Sequence, residues 1–407
     1  LSGIFSELRV IELSADVTGS MAGQICADRA AEVIKIEPPG GDVLRHVDSY
    51  DSGESKLYES LNRGKQSVVL DYDQSDGLKL VKALCDTADV VIASQPKRPL
   101  PSELSYETLK IQNSKLVYLD INAFGRNGNW ADSASNDLVM QAYAGNMLSE
   151  GKTEPDQITP RAIVSTQMSE YVTAFYALLG ISSALYHRAR TGVGQEVSTS
   201  KLLTMLSIQS ARIVTNDLAD KKVIGFRNRL LELRTEGASL AKIKSERGKT
   251  APRVINAFYR PYQTRDGAVF VGALTRNLRD KARGALNTTL LGRDDPNYDT
   301  RNDEYYDNAL RQQAEIEAYL KEKTTEEWIG ILEASGVPTG EITFPEDLYN
   351  SEQLLENSYI AELDHTSGRQ IHVMPHAQFS AFPDPEITAA PSLGRDTTRI
   401  LSEIEND

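Results

Sequence analysis

The chain of 407 residues carries 44 basic against 58 acidic side chains, a net charge of −14, and is 40% hydrophobic and 25% charged. It is long enough for two domains with real cores and too apolar for a disordered chain. Its charge has the wrong sign for wrapping a nucleic-acid backbone or lying on anionic lipid, so a small-molecule partner is expected.

The opening LSGIFSELRVIEL has no basic segment ahead of an apolar run, so nothing in it predicts secretion. Leu8 to Leu13 reads as a strand, and Thr18 to Ala31 as a helix behind the candidate caps Ser14, Asp16 and Thr18. Glu32 to Glu37 is the next strand, stopped by PPGGD. Ser67 to Asp71 leads into a helix over about Gln74 to Thr87, followed by strands at Asp89 to Ala93 and Lys115 to Ile121. β-Branched runs alternating with helical patterns predict an α/β fold with a doubly wound parallel sheet.

A long helix is predicted from about Val164 to Arg190, ending at TGVGQ, where Gly192 and Gly194 supply the positive φ of a C-cap and turn. Its most apolar part, Thr173 to Tyr186, is interrupted by Gly180, Ser182 and Ser183. It is shorter than the roughly 20 residues that span a bilayer, so no membrane helix is expected. Another helix is predicted from about Ser200 to Asp217. Lys221 to Arg253 then holds ten Lys or Arg against three Glu, read as a solvated helical arm between domains, with a partial phosphate cradle as the alternative. Phe258 to Ala273 reads as a hairpin turning at Asp266-Gly267. Helices over about Asp307 to Glu322 and Thr325 to Ser335 complete a second, smaller domain.

TGSMAG after the first strand is not GxGxxG, and the chain has no GxxxxGK[ST], GxSxG or HExxH. The usual signatures of dinucleotide binding, P-loop phosphoryl transfer, serine hydrolysis and zinc proteolysis are therefore missing. Cys26 and Cys85 lie far apart without CxxC or Cys/His spacing, and the five histidines show no ligand spacing, which predicts a reducing cytoplasm and no metal. His372 and His376 are four apart, but Pro375 between them argues against a helix. What remains is carboxylates. Asp137, ahead of an apolar helix start, reads as an N-cap or first-turn carboxylate. Glu170, within MSEYVTAFYALLGISSAL, is either on a solvent stripe or buried with a purpose, and periodicity favours the stripe.

LRVIELSADVTGSMAGQICADRAAEVIKIEPPGGDVLR resembles the opening of the class III CoA-transferase family, with its E-P-P-G-G-D-x-x-R turn. That family includes formyl-CoA transferase, the carnitine CoA-transferases and α-methylacyl-CoA racemase. The resemblance continues through LNRGKQSVVLD, ADVVIAS, LSYETL, KLVYLDINAFG and ALYHRARTGVGQEV to APSLGRDT, nearly the whole chain. It implies a large Rossmann-like domain from residues 1–215 and 340–407, and a smaller α+β domain at 216–339. It also implies an interlocked dimer, the partner being the same chain or a paralogous subunit.

The family's catalytic aspartate lies 22 residues before the first glycine of T-G-x-G-Q, which from Gly192 points to Glu170, with Ala174 in place of the motif's glycine. The resemblance thus makes Glu170 the carboxylate that attacks an acyl-CoA thioester, giving a mixed anhydride and then a glutamyl-CoA thioester that an incoming acid captures. Asp137 is the second catalytic candidate. CoA contacts are implied at Val17, Thr18, Pro38, Arg45, Leu70, Ser94, Gln95, Arg98, Phe124 and Asn136, although ASQPKR replaces E-N-F/Y-R-P-G and Leu70-Asp71-Tyr72-Asp73 replaces LD-x-K. The expected activity is CoA transfer between an acyl-CoA donor and a carboxylic acid, with CoA as co-substrate and no permanently bound cofactor. One alternative is a non-catalytic structural subunit of a heteromeric CoA-transferase. The other, an acyl-CoA racemase, is disfavoured because Asn136 replaces the racemases' histidine.

Overall fold

Six short strands form an all-parallel sheet: β1 (Arg9–Ser14), β2 (Glu32–Glu37), β3 (Gln66–Val69), β4 (Val90–Ser94), β5 (Val117–Asn122) and β6 (Gln195–Ser200). Their order is β3-β2-β1-β4-β5-β6, the doubly wound arrangement in which the direction of winding reverses between β1 and β4. The computed structural model describes residues 3–48, 54–94, 100–250, 255–299, 302–382 and 386–406. Two compact units result, Leu1–Val214 with Leu355–Asp407, and Thr215–Leu354.

A parallel sheet is stable only with both faces covered, and the alternation of side chains along the strands feeds two cores. Ile11, Leu13, Ile34, Ile36, Val91 and Ala93 share one core with Val81, Leu84 and Ile400. Val10, Val33, Val90, Ile92, Val117 and Leu119 share the other with Ala22, Cys26, Ala177 and Ile181. The helices of this unit are α1 (Val17–Ala27), α2 (Lys56–Asn62), α3 (Ser75–Asp86), α4 (Tyr106–Leu109), α5 (Asp137–Tyr143), α6 (Asn146–Glu150), α7 (Met168–Thr191), α8 (Lys201–Ser207) and α9 (Ser210–Ile213), joined by a C-terminal helix over Thr397–Asn406 that brings Ile400 to the core. Among the described residues, none is long and apolar enough to cross a membrane.

Helix α1 is buried from Val17 to Cys26, so its polar neighbours need partners inside the protein. Beneath it, Glu12 receives Lys35 and Lys65, each at 2.7 Å, and Lys35 also meets Asp42 at 2.7 Å. Glycine allows the approach, because a Cβ on Gly23 would stand 2.0 Å from Glu12 Oε2 and one on Gly19 would stand 2.4 Å from Ser14 Cβ.

In unit 2, β7 (Tyr259–Gln263) and β8 (Ala268–Gly272) form the hairpin around Asp266-Gly267. The basic segment is two helices, α10 (Lys221–Thr235) and α11 (Leu240–Thr250), mostly exposed. Helices α12 (Arg276–Ala285), α13 (Asp303–Leu320) and α14 (Thr325–Ala334) enclose a core around Phe258, Val269 and Trp328. The short strand β9 (Thr339–Glu341) pairs with β8, so the residues at 339–341 stay with this unit and the chain leaves it only after Leu354.

The structure departs from the sequence reading in several places, one of them β6, for which no strand was predicted. The single helix expected over Ser200 to Asp217 is broken into α8 and α9, because Gln209 turns its side chain onto Ala144 O, Asn146 Oδ1 and Met205 O instead of continuing the helix. A hairpin of β10 (Ile360–His365) and β11 (Gly368–Val373), with His372 on its second strand, was not anticipated. Of the two glycines at the end of α7, only Gly192 adopts positive φ, at 75°. Gly194 is required by space: a Cβ there would lie 2.1 Å from Leu116 O, where β6 joins the sheet. Gly194→Ala should therefore destabilise the fold by about 1–3 kcal/mol, measured by chemical denaturation, whereas Gly225→Ala, with open space at the Cβ position, should show no such loss.

Candidate active site

The site is built where β1 and β4 end side by side, Ser14 paired with Ser94. Asp16 starts α1 as its N-cap, accepting the Gly19 N–H at 2.9 Å on Oδ1. Ser94 Oγ donates to the same carboxylate at 2.9 Å. The third member arrives from the far edge of the sheet. β6 ends at Ser200, which caps α8 by accepting from Leu203 N at 3.1 Å, and Lys201 opens that helix. Its buried ammonium donates to Asp16 Oδ2 at 3.0 Å and to Glu170 Oε1 at 2.8 Å. Thr18 Oγ1 donates to the other Glu170 oxygen at 2.5 Å.

Glu170 is therefore not on a solvent stripe: it is 5% exposed, in the first turn of α7, where α7 packs on α1 and α8. Period alone misplaced it because α7 is covered on more than one side at this end. Gln167, the residue before α7, supplies no side-chain cap. Asp137 does so from α5, accepting from Ser169 N at 2.6 Å and Ser169 Oγ at 2.8 Å, while Gln141 donates to its second oxygen at 2.6 Å. A hydroxyl contact of 2.6 Å between Thr173 and Thr204 then ties α7 to α8.

The charge balance is two buried carboxylates around one ammonium. Burial pushes the Glu170 carboxyl above its ordinary range and the neighbouring Asp16 adds to this, while Lys201 and Thr18 pull it partly back. Burial alone would lower Lys201, but Asp16 and Glu170 more than reverse it and hold the amine protonated. A cleft of about 430 Å³ opens beside this cluster at the C-terminal ends of β4 and β5, lined by Asp16, Ser94, Tyr106, Asn122, Arg126 and Lys201 among others. Arg126 is held there by Asp120 at 2.9 Å and by Glu196. Glu170 meets the lining through Lys201, and no group of three or more metal-ligating side chains occurs among the described residues.

Of the residues implied by resemblance, Thr18 and Glu170 touch and Ser94 joins them through Asp16. The others are dispersed. Val17 lies in a core with Met21 and Ile25, and Leu70 in the core below the sheet. Arg45 is 3% exposed and committed to Glu37 at 2.7 Å, Pro391 O at 3.2 Å, Tyr58 and Glu54, so its guanidinium faces protein groups. Pro38 is exposed in the turn after β2. Phe124 meets Trp130 in a tilted and Tyr143 in an edge-on ring contact. Asn136 is the N-cap of α5, accepting from Val139 N at 3.0 Å. Gln95 and Arg98 lie outside the described residues.

Asp16 was legible only as a cap, and Lys201 not at all. The one available signal was a lone lysine opening the apolar stretch KLLTML immediately after a strand. Replacing Asp137 by alanine should lower stability by about 1–3 kcal/mol and cut kcat about tenfold with little change in KM, because the first turn of α7 loses its acceptors and Glu170 shifts with it. Thermal melts and steady-state kinetics check both parts.

A sequence model of CoA-transferase family III matches residues 5–397. The succinate–glutarate CoA-transferase of Agrobacterium fabrum is 38% identical over 223 residues, covering 52% of this chain and 54% of that protein. The succinyl-CoA:glutarate CoA-transferase of Homo sapiens is 27% identical over 407 residues, covering 98% of this chain and 85% of its own length. Among solved structures, an aspartate-to-alanine variant of Rv3272 from Mycobacterium tuberculosis superposes with a TM-score of 0.76 at 23% identity over 98% of this chain and 99% of that one, a likeness of fold. A CaiB/BaiF family protein from Brucella suis gives 0.72 at 25% identity over 99% of this chain and all (100%) of that one. With the family match covering nearly its entire length, the chain belongs to CoA-transferase family III.

Proposed function

We propose that this chain transfers CoA from an acyl-CoA to a carboxylic acid through a covalent intermediate on Glu170. The observation that carries the reading is a buried, hydrogen-bonded carboxylate at the start of α7, beside a cleft at the switch point of the sheet. Ionised Glu170 attacks the thioester carbonyl, an O–C bond forms, the C–S bond breaks and its electron pair leaves as CoA thiolate. The thiolate then attacks the Glu170 carbonyl of the mixed anhydride, releasing the donor acid and leaving a glutamyl-CoA thioester. The acceptor carboxylate runs the same two steps in reverse order and regenerates Glu170.

Relatives named for succinate, glutarate and mesaconate support short dicarboxylates as the acids exchanged. The racemase alternative lacks a second base at position 136, where the Asn136 side chain caps α5. Both cysteines are buried and free, which fits a reducing cytoplasm. Along α7, Phe175, Tyr176, Leu179 and Tyr186 are each 43–65% exposed, a stripe that fits coverage by a second chain in an interlocked pair.

Glu170→Gln should lower kcat on the order of 10⁴-fold, and hydroxylamine added with acyl-CoA should convert Glu170 to a hydroxamate found by peptide mapping. An active Glu170→Gln, or an adduct on another residue, overturns the assignment. Because the reaction needs the ionised carboxylate, kcat should rise with pH, with its acid limb above the range of an exposed glutamate. Succinate, glutarate and mesaconate should outperform monocarboxylate acceptors in the same assay.

A further inference from the structure

A nucleophilic carboxylate in a buried site faces two opposing demands. Before the reaction it must stay charged where water is absent; afterwards, as an anhydride or thioester, it is neutral, and any cation that balanced it is left without its partner. The groups around Glu170 meet both demands. From α1 comes Asp16, from α8 Lys201 and from α5 Asp137, which is engaged by Ser169 and Gln141; Tyr171 follows on α7 itself. On β5 and at β6, the strands packed against α7, Asp120 and Glu196 are tied to Arg126. Among the described residues Lys201 is thus the cation bound to Glu170, and it is shared with a second carboxylate that takes no part in bond making.

Building on the proposed role of Glu170, we infer that Lys201 is a positioning residue for the nucleophile: its ammonium, divided between Glu170 and Asp16, holds the Glu170 carboxylate in its attacking position and passes wholly to Asp16 when Glu170 is acylated. The geometry supports the handover. Lys201 Nζ is already 3.0 Å from Asp16 Oδ2, so no rotamer change is needed, and Gly19 of the same helix and Ser94 at the end of β4 keep Asp16 in place. Charge balances at each stage. The resting cluster carries −1, from two carboxylates and one ammonium; after attack that −1 resides on the departing thiolate, and Lys201 and Asp16 remain a neutral pair. The adjoining cleft, lined by Lys201 and Asp16 but not by Glu170, places this pair where the thioester enters.

The test compares the pH dependence of kcat for Lys201→Met and Asp16→Asn with that of the unaltered protein. Lys201→Met leaves two adjacent buried carboxylates without a cation, so kcat at pH 6 should fall on the order of 10²-fold and recover at least about tenfold by pH 9. Asp16→Asn, which can still cap α1, removes the repelling charge, so the acid limb should move to lower pH. It should also reduce severalfold the glutamyl-CoA trapped by hydroxylamine, since the ammonium then has no anion while Glu170 is acylated. Opposite movements of the limb support the inference. A lysine that merely fills space would lower kcat by the same factor at every pH, and that result, or limbs moving in one direction, overturns it. Should Lys201→Met fail to fold, the Asp16→Asn limb and trapping yield decide alone. An inactive Glu170→Gln with unmoved limbs refutes only the role of Lys201, whereas an active Glu170→Gln refutes the nucleophile itself.

Discussion

Four segments distant in sequence converge on the carboxylate of Asp16. It caps α1, receives Ser94 from the end of β4 and Lys201 from the start of α8, and through that lysine it is joined to Glu170 on α7. A buried carboxylate demands several donors, and satisfying this one draws together the strand ends on either side of the point where the sheet reverses its winding. The position of the candidate nucleophile depends on this junction more than on its own helix, whose preceding residue provides no cap of its own.

The same economy recurs one layer below. Glu12 on β1 balances Lys35 from β2 and Lys65 from the segment leading into β3, and Asp42 completes the set. Burial drags Lys65 down to about 8 even with Glu12 beside it, while Lys35, with Asp42 as well as Glu12 in contact, is held above its ordinary range. Such clusters contribute little net stability compared with apolar packing, yet losing one partner is costly. Their effect here is registry: α1 can lie flat on the sheet only where glycines at 19 and 23 let it approach and where the charges beneath it are matched. That registry sets Asp16 and Thr18 at the height at which Glu170 and Lys201 meet them.

Buried ionic contacts also explain why Arg45, suited by type for a phosphate, does not face the cleft. Arg45 has the charge for a nucleotide, but Glu37 accepts from two of its nitrogens and burial leaves it no exposed face. The same Arg45, with Lys35 and Ser67, overcomes the burial of Glu37 and holds its carboxyl down at about 2. Of the two basic residues named in the cleft lining, Arg126 and Lys201, the one that meets Glu170 is Lys201, in a stretch that otherwise reads as an apolar helix start.

By itself the sequence determined the first five strands of the sheet with α1, α3 and α7, the hairpin at Asp266-Gly267, the helical character of the basic segment and, through motifs spread over nearly the whole chain, the family. These are local or cumulative signals: β-branched runs, caps, turn residues and spacing act within a few residues of themselves. Only the tertiary structure decided that Glu170 is buried, that Asp137 caps a helix other than its own, that Gln209 breaks the helix after β6, and that Asp16 and Lys201 form a pair 185 residues apart. The reason is physical. Whether a carboxylate is solvated or must find a cation depends on which surfaces cover it, and that is settled when α7 packs on α1 and α8, a contact between segments whose one-dimensional patterns carry no information about each other.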